Sequence, residues 1–259
     1  MINKIVHFSD LHLRLFKDHD LYKSVLTQAL DQWKEVKPDR IIFTGDLVHS
    51  KNQLTPELIQ MVSWLLTECS QISKTIVILG NHDLIESNLE RLDALSPIIN
   101  SLDNPNIVFL TKSELVDDEN IRYAVYAISE HNKPPVFDDN KKFTIGLFHG
   151  PISGLKTDLG YEFGEEAYDV KKFEGCNIVL CGDIHKRSVF NYPGGKGYMI
   201  GSTIQQNYGE TLNKHGYGIY TIDNDKYEFV DLENPKPFLS FKIKSFEDIY
   251  DGSEKLANI

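Results

Sequence analysis

Apolar residues fall into two rhythms along the first hundred positions. Lys4–Phe8, Arg40–Thr44 and Thr75–Leu79 are short runs dense in Ile and Val, the pattern of strands covered on both faces. Asp20–Lys37, Thr55–Ser73 and Leu89–Leu102 are longer and amphipathic, so the first half predicts β-α-β-α-β-α. Thr55 followed by Pro56 marks a helix start, because the hydroxyl can cap free N–H groups and proline lacks only a donor that the first turn does not use. Lys37-Pro38-Asp39 ends the helix before it. The second half changes texture, with strand-like runs at Ile121–Ile128, Lys142–Phe148, Cys176–Cys181, Gly197–Ile200, Gly216–Ile222 and Tyr227–Leu232. Their connections are rich in Gly, Pro, Asn and Asp, which predicts a mixed sheet turning largely antiparallel. Together the halves predict an α/β (α+β) sandwich of two mixed sheets flanked by helices. Asn234-Pro235-Lys236-Pro237 interrupts the pattern, so residues 1–235 are read as one domain and residues 236–259 as a C-terminal tail or the start of another domain.

Five of the apolar runs end in residues that bind hard or borderline metals: Ser9-Asp10-Leu11-His12, Gly45-Asp46, Gly80-Asn81-His82-Asp83, His149-Gly150 and Gly182-Asp183-Ile184-His185. If the runs are buried strands of one fold, their C-terminal ends can share a crevice and bring these side chains together. Glycine before Asp46, Asn81 and Asp183 lets the backbone turn sharply while staying close to what it encloses. Each fragment alone is ordinary. Asp10-x-His12 is a common spacing, the Gly-Asp and Gly-Asn-His-Asp pieces are turn formers, and a single His149 is more often a satisfied core histidine. Five of them, each at a strand end, point to a metal site. Carboxylate, amide oxygen and imidazole without thiolate favour Mn2+, Fe2+ or Zn2+ over a structural zinc site.

In this order, the motifs resemble the signatures of the calcineurin-like metallophosphoesterase superfamily, over nearly the whole chain to about Leu232. The resemblance implies a four-layer αββα sandwich with two divalent metals, one held by Asp10, His12 and His185, the other by Asn81 and His149, with Asp46 bridging. It implies a reacting role for His82, which stabilises the transition state or protonates the leaving oxygen, with Asp83 orienting it. This sequence has Asp183 where the family's last motif has its first His. As a ligand, Asp183 hardens the site toward Mn2+ or Mg2+; otherwise the second metal is held loosely. Two such metals clamp an in-line displacement at phosphorus, so phosphoester hydrolysis is the reaction implied.

Two further segments resemble the SbcD (meiotic-recombination-eleven) DNA double-strand-break nucleases, in wording most like phage and large-DNA-virus versions. Asp46-Leu47-Val48-His49 places a His beside the metals, and Gly201-Ser202-Thr203-Ile204-Gln205-Gln206-Asn207-Tyr208-Gly209-Glu210 follows the last metal motif. This implies a Mn2+-dependent exonuclease on duplex DNA ends with endonuclease activity on single strands and hairpins. It also implies an SbcC-type coiled-coil ATPase partner, a homodimer, and a DNA-capping domain beginning in 236–259. The competing reading is a stand-alone phosphodiesterase or phosphatase for nucleotides or other small phosphoesters.

Charge tempers the nuclease reading. With 27 Lys and Arg against 38 Asp and Glu the net charge is −11, the wrong sign for a phosphate polymer unless bound dications supply positive charge where the phosphate sits. Lys186 and Arg187, next to the last motif, are candidate phosphate contacts; Lys141-Lys142 and Lys171-Lys172 are weaker ones. His7, His19, His131 and His215 receive no metal role. Cys69, Cys176 and Cys181 contain no C-x-x-C pair and are read as packing residues in a reducing, cytoplasmic setting. No apolar run is long enough to cross a membrane and no export signal is evident, so a soluble protein without a membrane partner is expected.

Overall fold

In the computed structural model, which describes residues 1–240, the alternating half forms β1 (Lys4–Phe8), α1 (His19–Val36), β2 (Arg40–Thr44), α2 (Pro56–Ile72), β3 (Lys74–Ile78), α3 (Ser96–Leu102) and β4 (Ile107–Leu110). Then come β5 (Leu115–Asp118), β6 (Ile121–Tyr126), β7 (Phe143–His149), β8 (Ile178–Gly182), β9 (Ser188–Tyr192), β10 (Gly195–Met199), β11 (Gly216–Thr221) and β12 (Lys226–Asp231). The strands make two six-stranded mixed sheets, ordered β12-β11-β1-β2-β3-β4 and β5-β6-β7-β8-β10-β9. The part of the expected tail beyond residue 240 lies outside the described residues.

Helix ends follow local chemistry. Thr55 accepts the Leu58 N–H at 3.3 Å and Pro56 opens α2, while α1 stops at Lys37, whose left-handed backbone (φ 49°) precedes Pro38. The third helix is shorter than its amphipathic pattern predicts. Asp93 accepts the N–H groups of Leu95 and Ser96 at 2.8 and 2.7 Å, and Pro97 fits only the first turn, so the helix starts at Ser96 and not at Leu89. Strands β4, β5 and β9 were not foreseen; they are short and edge-lying or half-buried, with weak alternation.

Alternate residues of the central strands serve two cores. Phe8, Phe43 and Val77 face the helices, where Trp33 of α1 packs at 5.0 Å from the Phe8 ring. Ile5, Ile42 and Ile76 face the second sheet and meet Tyr123, Ile145 and Leu180. In the second sheet β6, β7, β8 and β10 run parallel, and among the described residues the edge strands β5 and β9 are the ones that pair antiparallel there. Tight links such as Glu119-Asn120 and Pro193-Gly194 make hairpins, whereas the long excursions before β7 and β8 make crossovers. The antiparallel pair β11-β12 crosses back to the first sheet beside β1. Among the described residues the outer cover of the second sheet is irregular chain with single 3-10 turns, anchored by Tyr168 and Phe173 against Phe148 and Phe190. At one end of the sandwich Arg40 grips Asp118 through two bonds of 2.7 and 2.9 Å and ties the sheets together. The C-terminal ends of β1, β2, β3, β7 and β8 all open at the other end.

Candidate metal centre

The loops leaving β1 and β2 continue side by side beyond the sheet. Asp10 N–H donates to Gly45 O, His12 N–H to Asp46 O and Leu13 N–H to Leu47 O, at 3.1, 3.0 and 2.9 Å. Within this ladder Asp10, His12 and Asp46 hold left-handed backbones (φ 52°, 48° and 60°), as does Asp183 after β8 (φ 98°). Non-glycine residues pay roughly 1–2 kcal/mol each for that region, and such strain clusters at working sites. Here it turns four acidic or imidazole side chains toward one point. Gly80 is required by the same crowding: a Cβ there would run into the Asp46 carboxylate and the His149 ring. One on Gly45 would strike His149 as well.

The acceptors gather in two groups that share Asp46. In the first, His12 Nε2 lies 3.0 Å from His185 Nε2, 3.4 Å from Asp46 Oδ2 and 4.0 Å from Asp10 Oδ1. In the second, His149 Nδ1–H donates to the Thr44 carbonyl at 2.6 Å, which leaves Nε2 facing Asn81 Oδ1 at 3.2 Å, Asp46 Oδ1 at 3.4 Å and Asp183 Oδ1 at 3.8 Å. Asp46 thus offers one oxygen to each group. The Asn81 oxygen faces only acceptors; turned over, its NH2 would donate to His149 and Asp46, so the oxygen-inward orientation is the one a cation selects. Electrostatics agree. Burial pushes the Asp10 carboxyl up to about 6 and raises that of Asp183, although nearby histidines oppose both shifts. Burial disfavours charge on His149, yet Asp46, Asp10 and Asp183 hold a proton there well above the usual range. Carboxyls that burial keeps from ionising beside an imidazole that its carboxylate neighbours keep protonated mark a site deficient in positive charge, and the donor set fits two divalent ions.

Supporting contacts come from residues whose partners the sequence does not reveal. Glu210 accepts the His185 Nδ1–H at 2.8 Å, which aims Nε2 inward and, against burial, lifts the imidazole to about 9. Glu210 is itself held by Ser202 and by the Gln206 N–H, at 3.0 and 2.9 Å. Gln206 and Thr203 tie this strap to the β1 loop through Leu11 O and Ser9 O, at 3.0 and 2.7 Å. The motif containing Glu210 was visible in the sequence, but its partner lies 25 residues away. Asp83 does not orient His82. Its carboxylate, fully buried, accepts the N–H groups of Asp46, Gly80 and Val48 at 2.8, 2.9 and 3.0 Å, clamping the β2 and β3 loops together. His82 donates from Nδ1 to the His49 carbonyl at 2.9 Å, and the two rings stack with centroids 5.5 Å apart.

A cleft of about 320 Å³ opens over these groups, lined by His12, His49, Asn81, His82, Asp183 and His185, with Arg14 on its wall. Arg187 is directed elsewhere. Its guanidinium binds Asp231 and, at 2.8 Å, the Val230 carbonyl, and lies over the Phe229 ring. Sequence adjacency to His185 misled here, because β9 starts at Ser188 and carries the chain toward β12. Lys186 lines an adjoining hollow of about 250 Å³.

The model of one family, described as calcineurin-like phosphoesterase, matches residues 3–187. The chain belongs to that family. This phosphoesterase is 35% identical over 256 residues, 93% of its length, to an uncharacterized protein of Acanthamoeba polyphaga mimivirus, and spans 19% of that relative. It is 24% identical over 287 residues to the DNA double-strand break repair protein Mre11 of Methanococcus maripaludis, covering 99% of this chain and 74% of that one. A dimetal phosphatase from Danio rerio shares the fold at a TM-score of 0.53 and 10% identity, over 92% of this chain and 98% of the other. Family membership and the two groups of ligands that meet at Asp46 fit a metal-dependent hydrolase of phosphoesters with a dinuclear divalent-metal site. Among the described residues no helix is long and apolar enough to cross a membrane.

Proposed function

We propose that this phosphoesterase is a DNA nuclease of the SbcD type, a Mn2+-dependent double-strand exonuclease and single-strand or hairpin endonuclease of DNA recombination and repair. The observation that carries the reading is the strap Gly201–Glu210: the segment that resembles the nucleases is the one that buttresses His185 and pins the β1 loop. Similarity to the Methanococcus repair protein across nearly the whole chain supports it. A homodimer and an SbcC-type coiled-coil ATPase belong to the same proposal, as does a capping domain opening in 236–259.

In this reading Asp10, His12 and His185 would hold one ion and Asn81, His149 and Asp183 the other, with Asp46 facing both groups. Divalent ions bound there would supply Lewis-acid chemistry to a phosphoryl group and lower the pKa of a water. The chain's own groups do the rest. His82 has Nδ1 committed to the His49 carbonyl, which leaves Nε2 to meet the leaving oxygen. The stacked His49 ring keeps that imidazole in place, and Arg14 steadies a phosphate entering the cleft. Asp183 replaces a neutral ligand by an anionic one, so Asp183→His retains activity and shifts preference toward Zn2+.

One observation favours the second reading, a phosphodiesterase or phosphatase for small esters. The chain is acidic, and Arg14 is the one cation on the cleft wall among the described residues. Digestion of an end-labelled duplex, a hairpin and bis(4-nitrophenyl) phosphate with Mn2+, Mg2+, Zn2+ or EDTA separates the two. Mn2+-dependent shortening of the duplex that vanishes in His82→Ala is expected. Hydrolysis of the small diester alone would select the second reading.

A further inference from the structure

His7 is the one buried histidine of β1, and the chemistry above makes no use of it. It lies in the core between the sheets, fully buried, on the same strand face as Ile5. Its ring is nevertheless satisfied at both ends: Nδ1 meets the Tyr227 hydroxyl at 2.8 Å and Nε2 meets Thr44 Oγ1 at 2.9 Å. Burial lowers its pKa to about 3, so the ring is neutral, with one N–H to give and one lone pair to receive. Tyr227 is fixed in turn by stacking on Tyr198 of the second sheet, with centroids 4.1 Å apart and planes 6° apart.

Thr44 ends β2, and its carbonyl carries an unusual load. It accepts the His149 Nδ1–H at 2.6 Å and the Ser9 hydroxyl at 3.0 Å. The first of these bonds decides which His149 nitrogen faces Asn81, Asp46 and Asp183. A polar line therefore crosses an otherwise apolar core, from Tyr227 on β12 through His7 on β1 and Thr44 on β2 to His149 on β7. A hydrocarbon at position 7 would suit the apolar surroundings but would leave the Tyr227 hydroxyl and Thr44 Oγ1 without this partner.

We infer that His7 is a positioning residue for the second metal group: through the Thr44 side chain it fixes the backbone carbonyl that sets the ring orientation and tautomer of His149. The inference rests on the dinuclear reading of the site. His7→Leu removes the link while keeping apolar volume, and leaves Thr44 free to rotate and its carbonyl free to shift.

The test is a Mn2+ titration of the substrate-free protein followed by the electron paramagnetic resonance of free Mn2+, on wild type, His7→Leu, Thr44→Val and the double variant. Each is checked for folding by circular dichroism. The weaker of two sites should lose about tenfold in affinity in His7→Leu and in Thr44→Val, at the lower end of what outer contacts to metal ligands contribute. The double variant should be no worse than either single one, because both cut the same line. His7→Gln, which restores a donor and an acceptor, should recover part of the loss. Two sites of wild-type affinity in a folded His7→Leu, or losses that multiply in the double variant, would overturn the inference. If His7→Leu does not fold, Thr44→Val decides it in the same way. If the wild type itself binds fewer than two ions, the dinuclear reading falls and takes this inference with it.

Discussion

Asp83→Asn separates a backbone clamp from a side-chain relay. The wild-type carboxylate takes three N–H donors, two on Oδ2 from Asp46 and Gly80 and one on Oδ1 from Val48. An amide in its better orientation keeps its oxygen on the first pair and turns NH2 toward the Val48 N–H, so one bond is lost and one buried donor faces another. Burial pushes the Asp83 carboxyl up to about 7, so the assay is run above that pH, where the acceptor is charged. Losing a hydrogen bond to it in a site with no access to water costs about 2–3 kcal/mol, and Asp83→Ala, which strands all three donors, about 5 kcal/mol. For a chain of this size 2–3 kcal/mol lowers the melting temperature by roughly 4–12 °C. The assay is thermal unfolding of Asp83→Asn, His82→Ala and the double variant in EDTA. Asp83 touches the backbone of Asp46, Gly80 and Val48 and not the His82 ring, but the two residues are chain neighbours that share the β2 loop, so their losses should couple by less than about 1 kcal/mol. A coupling above about 1 kcal/mol would restore Asp83 as a direct partner of His82 and refute the clamp. So would an Asp83→Asn protein as stable as wild type.

The two arginines should part company: Arg14→Ala raises KM for phosphodiesters about tenfold in a steady-state assay with little change in melting temperature, whereas Arg187→Ala lowers the melting temperature and leaves KM alone. Gly80→Ala should abolish Mn2+ binding in an equilibrium titration, because its methyl group claims the space of the Asp46 carboxylate and the His149 ring. Glu210→Gln should weaken Mn2+ binding by about 10–100-fold, since it removes the carboxylate behind His185. The pH dependence follows from the same contact. The folded His185 imidazole titrates near 9, above its ordinary 6.5, so its stabilisation is complete below about 6.5 and is lost as pH rises through 9. In EDTA the melting temperature should fall between pH 7 and 9.5, and fall less in Glu210→Gln; equal slopes would sever that link.

Much of the site was legible because ligand-bearing ends follow apolar runs with little between them. Asp10, Asp46, Asn81, His149 and Asp183 each lie within three residues of a strand, and burial on both faces makes such strands conspicuous. Contacts that depend on distant chain were not legible. Glu210 reaches His185 across a strand pair, Arg14 enters the cleft from the β1 loop, and Asp83 turns away from its neighbour His82 into the turn beneath. The helix before β4 was overread because Leu89 and Leu92 continue a helical spacing that Asp93 and Pro97 interrupt; both leucines are exposed. Strand order was beyond reach for a similar reason. Whether β6, β7 and β8 pair parallel depends on where the long excursions between them cross, which no local pattern encodes.

Asp46 offers one oxygen to each group of ligands, so it is the carboxylate that would join two divalent ions in a single centre. The most direct test of that role is a Mn2+ titration of wild type and Asp46→Asn, read for stoichiometry and for the exchange-coupled resonance of a paired centre. The wild type should bind two ions per chain and show the coupled signal, and Asp46→Asn should lose both the signal and at least one ion. A single uncoupled ion in the wild type, or a coupled pair that survives Asp46→Asn, would contradict the account.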